Sequence, residues 1–234
     1  MKKSVTKLKD TQKVRRFFLL LPFTLLPFSP LSSCPAQEVV DKMVATVNAG
    51  ARTDLITYSD LLWQLALQPT TLLVNPGSED LNRALRLVID QRLILQEAEK
   101  LPTISPTADE IRNARDLLVK VFPSVAEFQQ RLLRVGLSSE KLDEILEQRV
   151  RIEKYLDFRF RHFVLISQKE MADYYQDVYV PRLRSRSPGQ IIPTLEEAQN
   201  DIKIILTEAK IESDTDAFLD TARERTEIVM LNPV

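Results

Sequence analysis

Two residues in this 234-residue chain carry chemistry by type alone: its one histidine, His162, and its one cysteine, Cys34. A single imidazole cannot build a His-rich metal site, and a single thiol cannot close an internal disulfide. His162 follows Arg159 and Arg161 at the end of a helical run. A cationic side chain there is favoured by the helix macrodipole, which accounts for it without catalysis. The chain has no glycine-rich phosphate loop, no GxSxG elbow and no HExxH pair. Its paired carboxylates, and the Asp173-Tyr174-Tyr175 run, fall on polar faces of amphipathic helices, where such acids are ordinary. No catalytic residue, metal or cofactor is expected.

The residue types point to adhesion instead. Phe158, Phe160 and Phe163 stand at the end of one long helical run, and Tyr174, Tyr175 and Tyr179 on the next. Aromatic side chains supply much contact area at low entropic cost. Two readings are open for this band: core packing, or an apolar groove that takes extended peptide segments.

Cys34 belongs to a different argument. Residues 1–16 are basic, residues 17–28 (FFLLLPFTLLPF) are apolar, and small residues follow in SPLSSCPAQ. This is the order of a secretory signal over residues 1–36, and the apolar run is too short and too broken by Pro22 and Pro27 to span a bilayer. Leu31-Ser32-Ser33-Cys34 resembles a bacterial lipobox, which would lipidate Cys34 and anchor the protein to a membrane. Cys34-Pro35-Ala36 resembles an ordinary cleavage site. Both processing routes stay open. Either implies export.

The aromatics must be held by the element before them. From Ser138 to Arg161, Leu142, Ile145, Leu146, Arg149, Ile152, Leu156 and Phe160 recur at three- and four-residue steps, the period of a helix with one buried stripe. Arg149 interrupts the stripe, but its methylene stem can lie along apolar neighbours. A second helix, Leu81–Lys100, is apolar over more than one face and is expected to be central. Thr107, Ser124, Ser167 and Thr194 are each followed three residues later by Glu, the pattern of a capping box at a helix start. Gly136 is placed to end one helix and Ser138 to start the next.

At the N-terminal side, Val39–Val47 and Asp54–Tyr58 read as a hairpin around Asn48-Ala49-Gly50. Ser59 is placed to cap a helix through Leu67 that carries Trp63, whose indole N–H needs a partner if buried. At the other end, helices near Leu195–Ile211 and Ser213–Arg225 precede a closing strand, Thr226–Leu231. A hairpin and a lone strand have unsatisfied edges, so the two ends of the chain are expected to pair. The fold class is mainly α, a multi-helix module with a small sheet from an N-terminal hairpin and the C-terminal strand. Residues 181–193, with Arg182, Arg184 and Arg186 among prolines, read as a linker or surface loop.

Composition limits the partners. There are 4 Gly against 13 Pro, which disfavours β-sandwiches and phosphate-cradling loops. The net charge of −1 hides an asymmetry: residues 1–36 hold seven basic residues and one acid, so the remainder has 25 basic and 32 acidic residues, a net −7. An acidic body disfavours nucleic-acid binding, which needs clustered positive charge.

Six segments in order, VDKMVATVN, ITYSDL, ALRLVIDQRLILQEAEKL, SPTADEIRNA, FPSVAEFQQRLLRVGLSSEKLDEILEQRVRIEKYLDFRF and ISQKEMADYYQ, resemble the N-terminal domain of SurA-like periplasmic chaperones. The resemblance covers about residues 39–176 and implies a chaperone domain over 37–180, with 194–234 returning to complete the module. In that family a parvulin-type prolyl isomerase domain follows the helix matching Lys169–Tyr179. Here only residues 181–193 occupy that place, and the sole histidine lies upstream of it. The resemblance therefore implies the chaperone half, ATP-independent binding of unfolded polypeptide clients such as outer-membrane protein precursors, without the isomerase half. Two other classes remain beside it: a degenerate or partner-assisted prolyl isomerase, and a scaffold subunit that holds one folded partner.

Overall fold

The structure, a computed structural model, describes residues 41–48 and 52–234. The signal segment, Cys34 and the tip of the first hairpin lie outside the described residues. Strand β1 (Met43–Asn48) pairs antiparallel with β2 (Thr53–Thr57) and, on its other edge, with β3 (Glu227–Met230). The order β2-β1-β3 puts the N-terminal hairpin and the C-terminal strand in one sheet, as the unpaired-edge argument requires. The chain continues past β3 and stays tied to β1: Leu231 and Asn232 N–H both donate to Val44 O, and Asn232 Nδ2 donates to Met43 O.

The inner face of the sheet carries Val44, Val47 and Ile56, none exposed at all. Helices α1 (Tyr58–Ala66) and α2 (Ser78–Ala98) cover it. Ten of the 21 residues of α2 are buried, on more than one side, so this helix is central as its composition predicts. Its buried Gln96 uses its amide to bridge to the sheet, donating from Nε2 to Asp54 Oδ2 at 2.6 Å.

The spine is α5 (Ser139–Arg159), capped by Ser138, whose Oγ accepts from Lys141 N. It joins two cores. Leu142 and Leu146 pack with Phe122, Phe128 and Leu137 from α3 (Ala108–Lys120), α4 (Val125–Arg134) and their connections. Tyr155, with half-buried Ile152 and Leu156, packs into the sheet-facing core. The stripe also includes buried Val150 and Tyr155, so it is wider than the aliphatic spacing alone indicates.

The ends of the helices follow their local chemistry closely. Thr107, Ser167 and Thr194 form reciprocal capping boxes with Glu110, Glu170 and Glu197. Ser124 caps α4 by accepting from Glu127 N. Gly136 adopts φ +64°, and the bonds Leu137 N–H to Leu132 O and Gly136 N–H to Leu133 O make a Schellman motif. Leu137 is then buried against the second core.

Three expectations are corrected. The cap of α1 is Thr57, not Ser59: Thr57 accepts from Asp60 N, and the Asp60 carboxylate accepts from Thr57 N–H at 2.9 Å, since Asp at the third position serves where Glu is usual. The two C-terminal helices are one, α8 (Leu195–Arg225), because Glu212-Ser213-Asp214 contains neither Gly nor Pro to break it. The stretch expected to be loop from residue 181 is helical to Arg186. After α6 (Gln168–Tyr174) the ladder widens into a π-turn over Tyr175–Tyr179, where Val180 N–H donates to Tyr175 O, and then resumes as α7 (Val180–Arg186). Pro181 has no N–H and crowds the preceding turn of an α ladder. The π-turn relieves that crowding and leaves Pro181 in the first turn of α7, where proline is tolerated. The irregular connection is therefore only residues 187–194.

Candidate binding groove

The six aromatic residues singled out from sequence do not form one band. Tyr174, Tyr175 and Tyr179 pack with Met171, Ala198 and Ile202 between α6 and the start of α8. Tyr175 and Tyr179 stack at 6.0 Å, and the Tyr175 hydroxyl donates to Pro193 O at 2.9 Å. These tyrosines are half-buried, and they hold the outer helices together.

The phenylalanines are placed differently. At the end of α5 the chain turns through a short 3-10 segment, Arg161–Phe163, where the His162 Nδ1–H donates to Asp157 O at 3.1 Å. Phe160 faces Phe218 of α8 edge-on at 6.3 Å, and Phe218 in turn meets Tyr155 at 6.2 Å. Phe158 and Phe163 instead stay open to solvent, 56% and 77% exposed. Large aromatic faces left in water at one place mark a binding surface more often than a scattered apolar residue does.

Two adjoining clefts meet here. One, of about 460 Å³, is walled by Phe158, Phe163 and Leu101. The other, of about 700 Å³, is walled by Phe160, Phe218, Ala217 and Ala222 under the last turns of α8. Both lie in the size range of ligand sites. Tyr155, Arg159 and Glu97 belong to both walls, so the two clefts form one groove about a charged midpoint, mainly apolar on the Phe158 side and mixed on the Phe218 side, where Asp214, Thr221 and Arg225 join the wall. The Arg159 guanidinium lies 5.6 Å from the centre of the Phe160 ring and 5.5 Å from that of Phe218, a double cation–π contact that fixes it at the midpoint. Burial raises the Tyr155 phenol above its ordinary value, so the hydroxyl stays protonated and able to donate.

The spacing of phenylalanines finds half of this groove. Tyr155 and Arg159 lie in the same helix and are legible as neighbours one turn away. Phe218, Ala222 and Leu101 are distant in sequence, and no periodicity within α5 indicates them. A groove of exposed rings, partly apolar walls and a fixed guanidinium can hold extended polypeptide with little demand on its sequence.

Among the described residues, no three His, Cys, Asp or Glu side chains are grouped to hold a metal ion, and no helix is long and apolar enough to cross a membrane. No protein-family model matches the chain, and no curated protein matches it significantly.

Proposed function

We propose that this protein is an exported, ATP-independent chaperone of the SurA-like kind without an isomerase domain, working in the periplasm on unfolded clients such as outer-membrane protein precursors. The groove of Phe158, Phe163, Tyr155 and Arg159 is the client site, and the open aromatic pair is the observation that carries the reading. Clients bind as extended segments, their apolar side chains in the two clefts and their backbone or polar groups at the Arg159–Glu97 midpoint. Release needs no nucleotide, because each contact is weak and the groove is open to water. The signal-like residues 1–36 support export, with Cys34 either lipidated as a membrane anchor or removed with the leader.

Suppression of aggregation is the direct test. The purified protein at a stoichiometric ratio is expected to slow light scattering by several unrelated denatured proteins. Replacing Phe158 and Phe163 together by Ser is expected to reduce that protection at least about tenfold in effective affinity, with stability changed by less than about 1 kcal/mol, since both side chains are exposed. Protection of a single native partner only would point to a scaffold. Enzyme-like acceleration of proline isomerisation in a short peptide would replace this reading with a catalytic one.

A further inference from the structure

Arg149 sits half-buried in the middle of α5 with no ion pair among the described residues. Its Nη2 donates to Gln64 Oε1 at 2.9 Å, a neutral amide, and its Nε–H is buried with no acceptor. Arg92 of α2 repeats the pattern. Its Nη1 donates to Gln148 Oε1 at 3.0 Å, and its Nε–H too is buried with no acceptor. The one carboxylate near it, Asp60, keeps Oδ1 3.9 Å away, while Oδ2 accepts from Thr57 N–H and from the Thr57 hydroxyl at the cap of α1. Both arginines, with Gln64, Gln91 and Gln148, line a cavity of about 30 Å³ between α1, α2 and α5.

The charges around this cavity do not balance. Two guanidinium groups face one carboxylate, which leaves one positive charge without a partner. Desolvation disfavours a cation without a counter-charge, and it holds the Arg149 pKa below its ordinary value. Arg151, in the same helix, also buries its Nε–H without an acceptor, but its Nη2 has Glu147 at 2.8 Å, a counter-charge that Arg149 lacks. Water could accept the two free N–H bonds but brings no charge. The amide oxygens of Gln64 and Gln148 are already accepting from the arginines, so their NH2 groups remain as donors. The space holds about two waters, enough for one halide ion and too little for a phosphate or a carboxylate on a chain.

We propose that this cavity is a structural site for one small inorganic anion of halide size, with Arg92 and Arg149 as its charge partners and the glutamine amides completing its shell. The anion neutralises the excess charge and ties α1 to α2 and α5. The cavity shares no lining residue with the client groove, so the proposal stands independently of the chaperone reading.

The test is thermal unfolding of the full chain in sodium chloride and in sodium gluconate at equal ionic strength, gluconate being too large to enter. Chloride is expected to raise the Tm saturably by roughly 5 °C, bromide to do the same, and Arg149→Met to remove the saturable increment. Identical curves in chloride and gluconate would overturn the site, and so would a chloride effect that never saturates or that survives in Arg149→Met; each of these outcomes fits a cavity filled by water. Should Arg149→Met not fold, chloride NMR linewidths on the unaltered protein decide. Broadening that bromide displaces supports the site, and the absence of any broadening rejects it.

Discussion

Trp63 couples two elements through one side chain. Its ring packs with the second core, its indole N–H donates to Val135 O at 3.1 Å beyond the end of α4, and the Lys141 ammonium lies 5.7 Å from its ring centre. Trp63→Phe keeps an aromatic ring but leaves the Val135 carbonyl without that donor. The expected loss is about 1–2 kcal/mol, read as a lower urea midpoint at unchanged slope. An unchanged midpoint would mean water replaces the indole without cost. The need for a partner was legible from the residue type. Which carbonyl supplies it, 72 residues away, was not.

At the scale of elements, the ends of the helices are where single residues decide most. Arg131 of α4 closes the end of α1 and the turn after it: Nε donates to Ala66 O, and Nη2 donates to Leu65 O, Gln68 O and Thr71 O at 2.6–3.1 Å. Carbonyls left over at a helix C-terminus favour a cation, and here one planar fork serves four of them. Arg131→Lys keeps the charge but cannot reproduce the fork. It is expected to cost about 1.5–3 kcal/mol, and Arg131→Met at least as much, in chemical denaturation. Nothing in the alternation of charges along α4 separates Arg131 from Arg134, since the difference is made by α1 packing against one and not the other.

The capping glutamates define a response to acid. Lys154, and then the Thr107 backbone N–H, hold Glu110 down at about 2; Lys210, and then the Ser167 backbone and hydroxyl, do the same for Glu170. A carboxylate lowered in the folded state stabilises above its unfolded value of about 4.3, and that contribution disappears as pH falls toward 2. The tie of α3 to α5 through Lys154 and that of α6 to α8 through Lys210 are therefore expected to weaken together between about pH 5 and pH 2. Replacing both glutamates by Gln is expected to flatten the decline of Tm over that window. A slope unchanged in the double variant would assign the acid response to other groups.

At the scale of the molecule, the sheet closes the chain on itself. Residues 227–234 pair β3 with β1, place Ile228 and Val234 against the core, and add Lys42 Nζ donating to Pro233 O at 2.7 Å. Deleting 227–234 opens the edge of β1 and removes several hydrogen bonds at once. A loss of at least about 2–3 kcal/mol is expected, together with self-association by gel filtration as the freed edge pairs with another copy. A monomer of unchanged stability would show that the strand is dispensable. A second long-range tie, Arg223 to Asp90 at 2.6 Å, fixes the end of α8 on α2 and so shapes the groove under Phe218.

The sequence by itself determined the helical class, the capped starts, the stop at Gly136, the central place of α2, the spine, and the meeting of the chain's ends. All but the last rest on local chemistry or on a periodicity carried within one segment, which needs no knowledge of neighbours; the last follows because strand edges left unpaired at both ends need partners. Only the tertiary structure decided that the six aromatics divide, with the tyrosines closing the outer helices and the phenylalanines facing a groove. It also decided that Pro181 is accommodated by a π-turn, that Phe218 completes the groove, and that half-buried Arg149 lines one cavity with Arg92 and has no counter-charge of its own. Those outcomes depend on which surfaces meet across long stretches of chain. An amphipathic pattern says that a face must be covered, and it does not say by what.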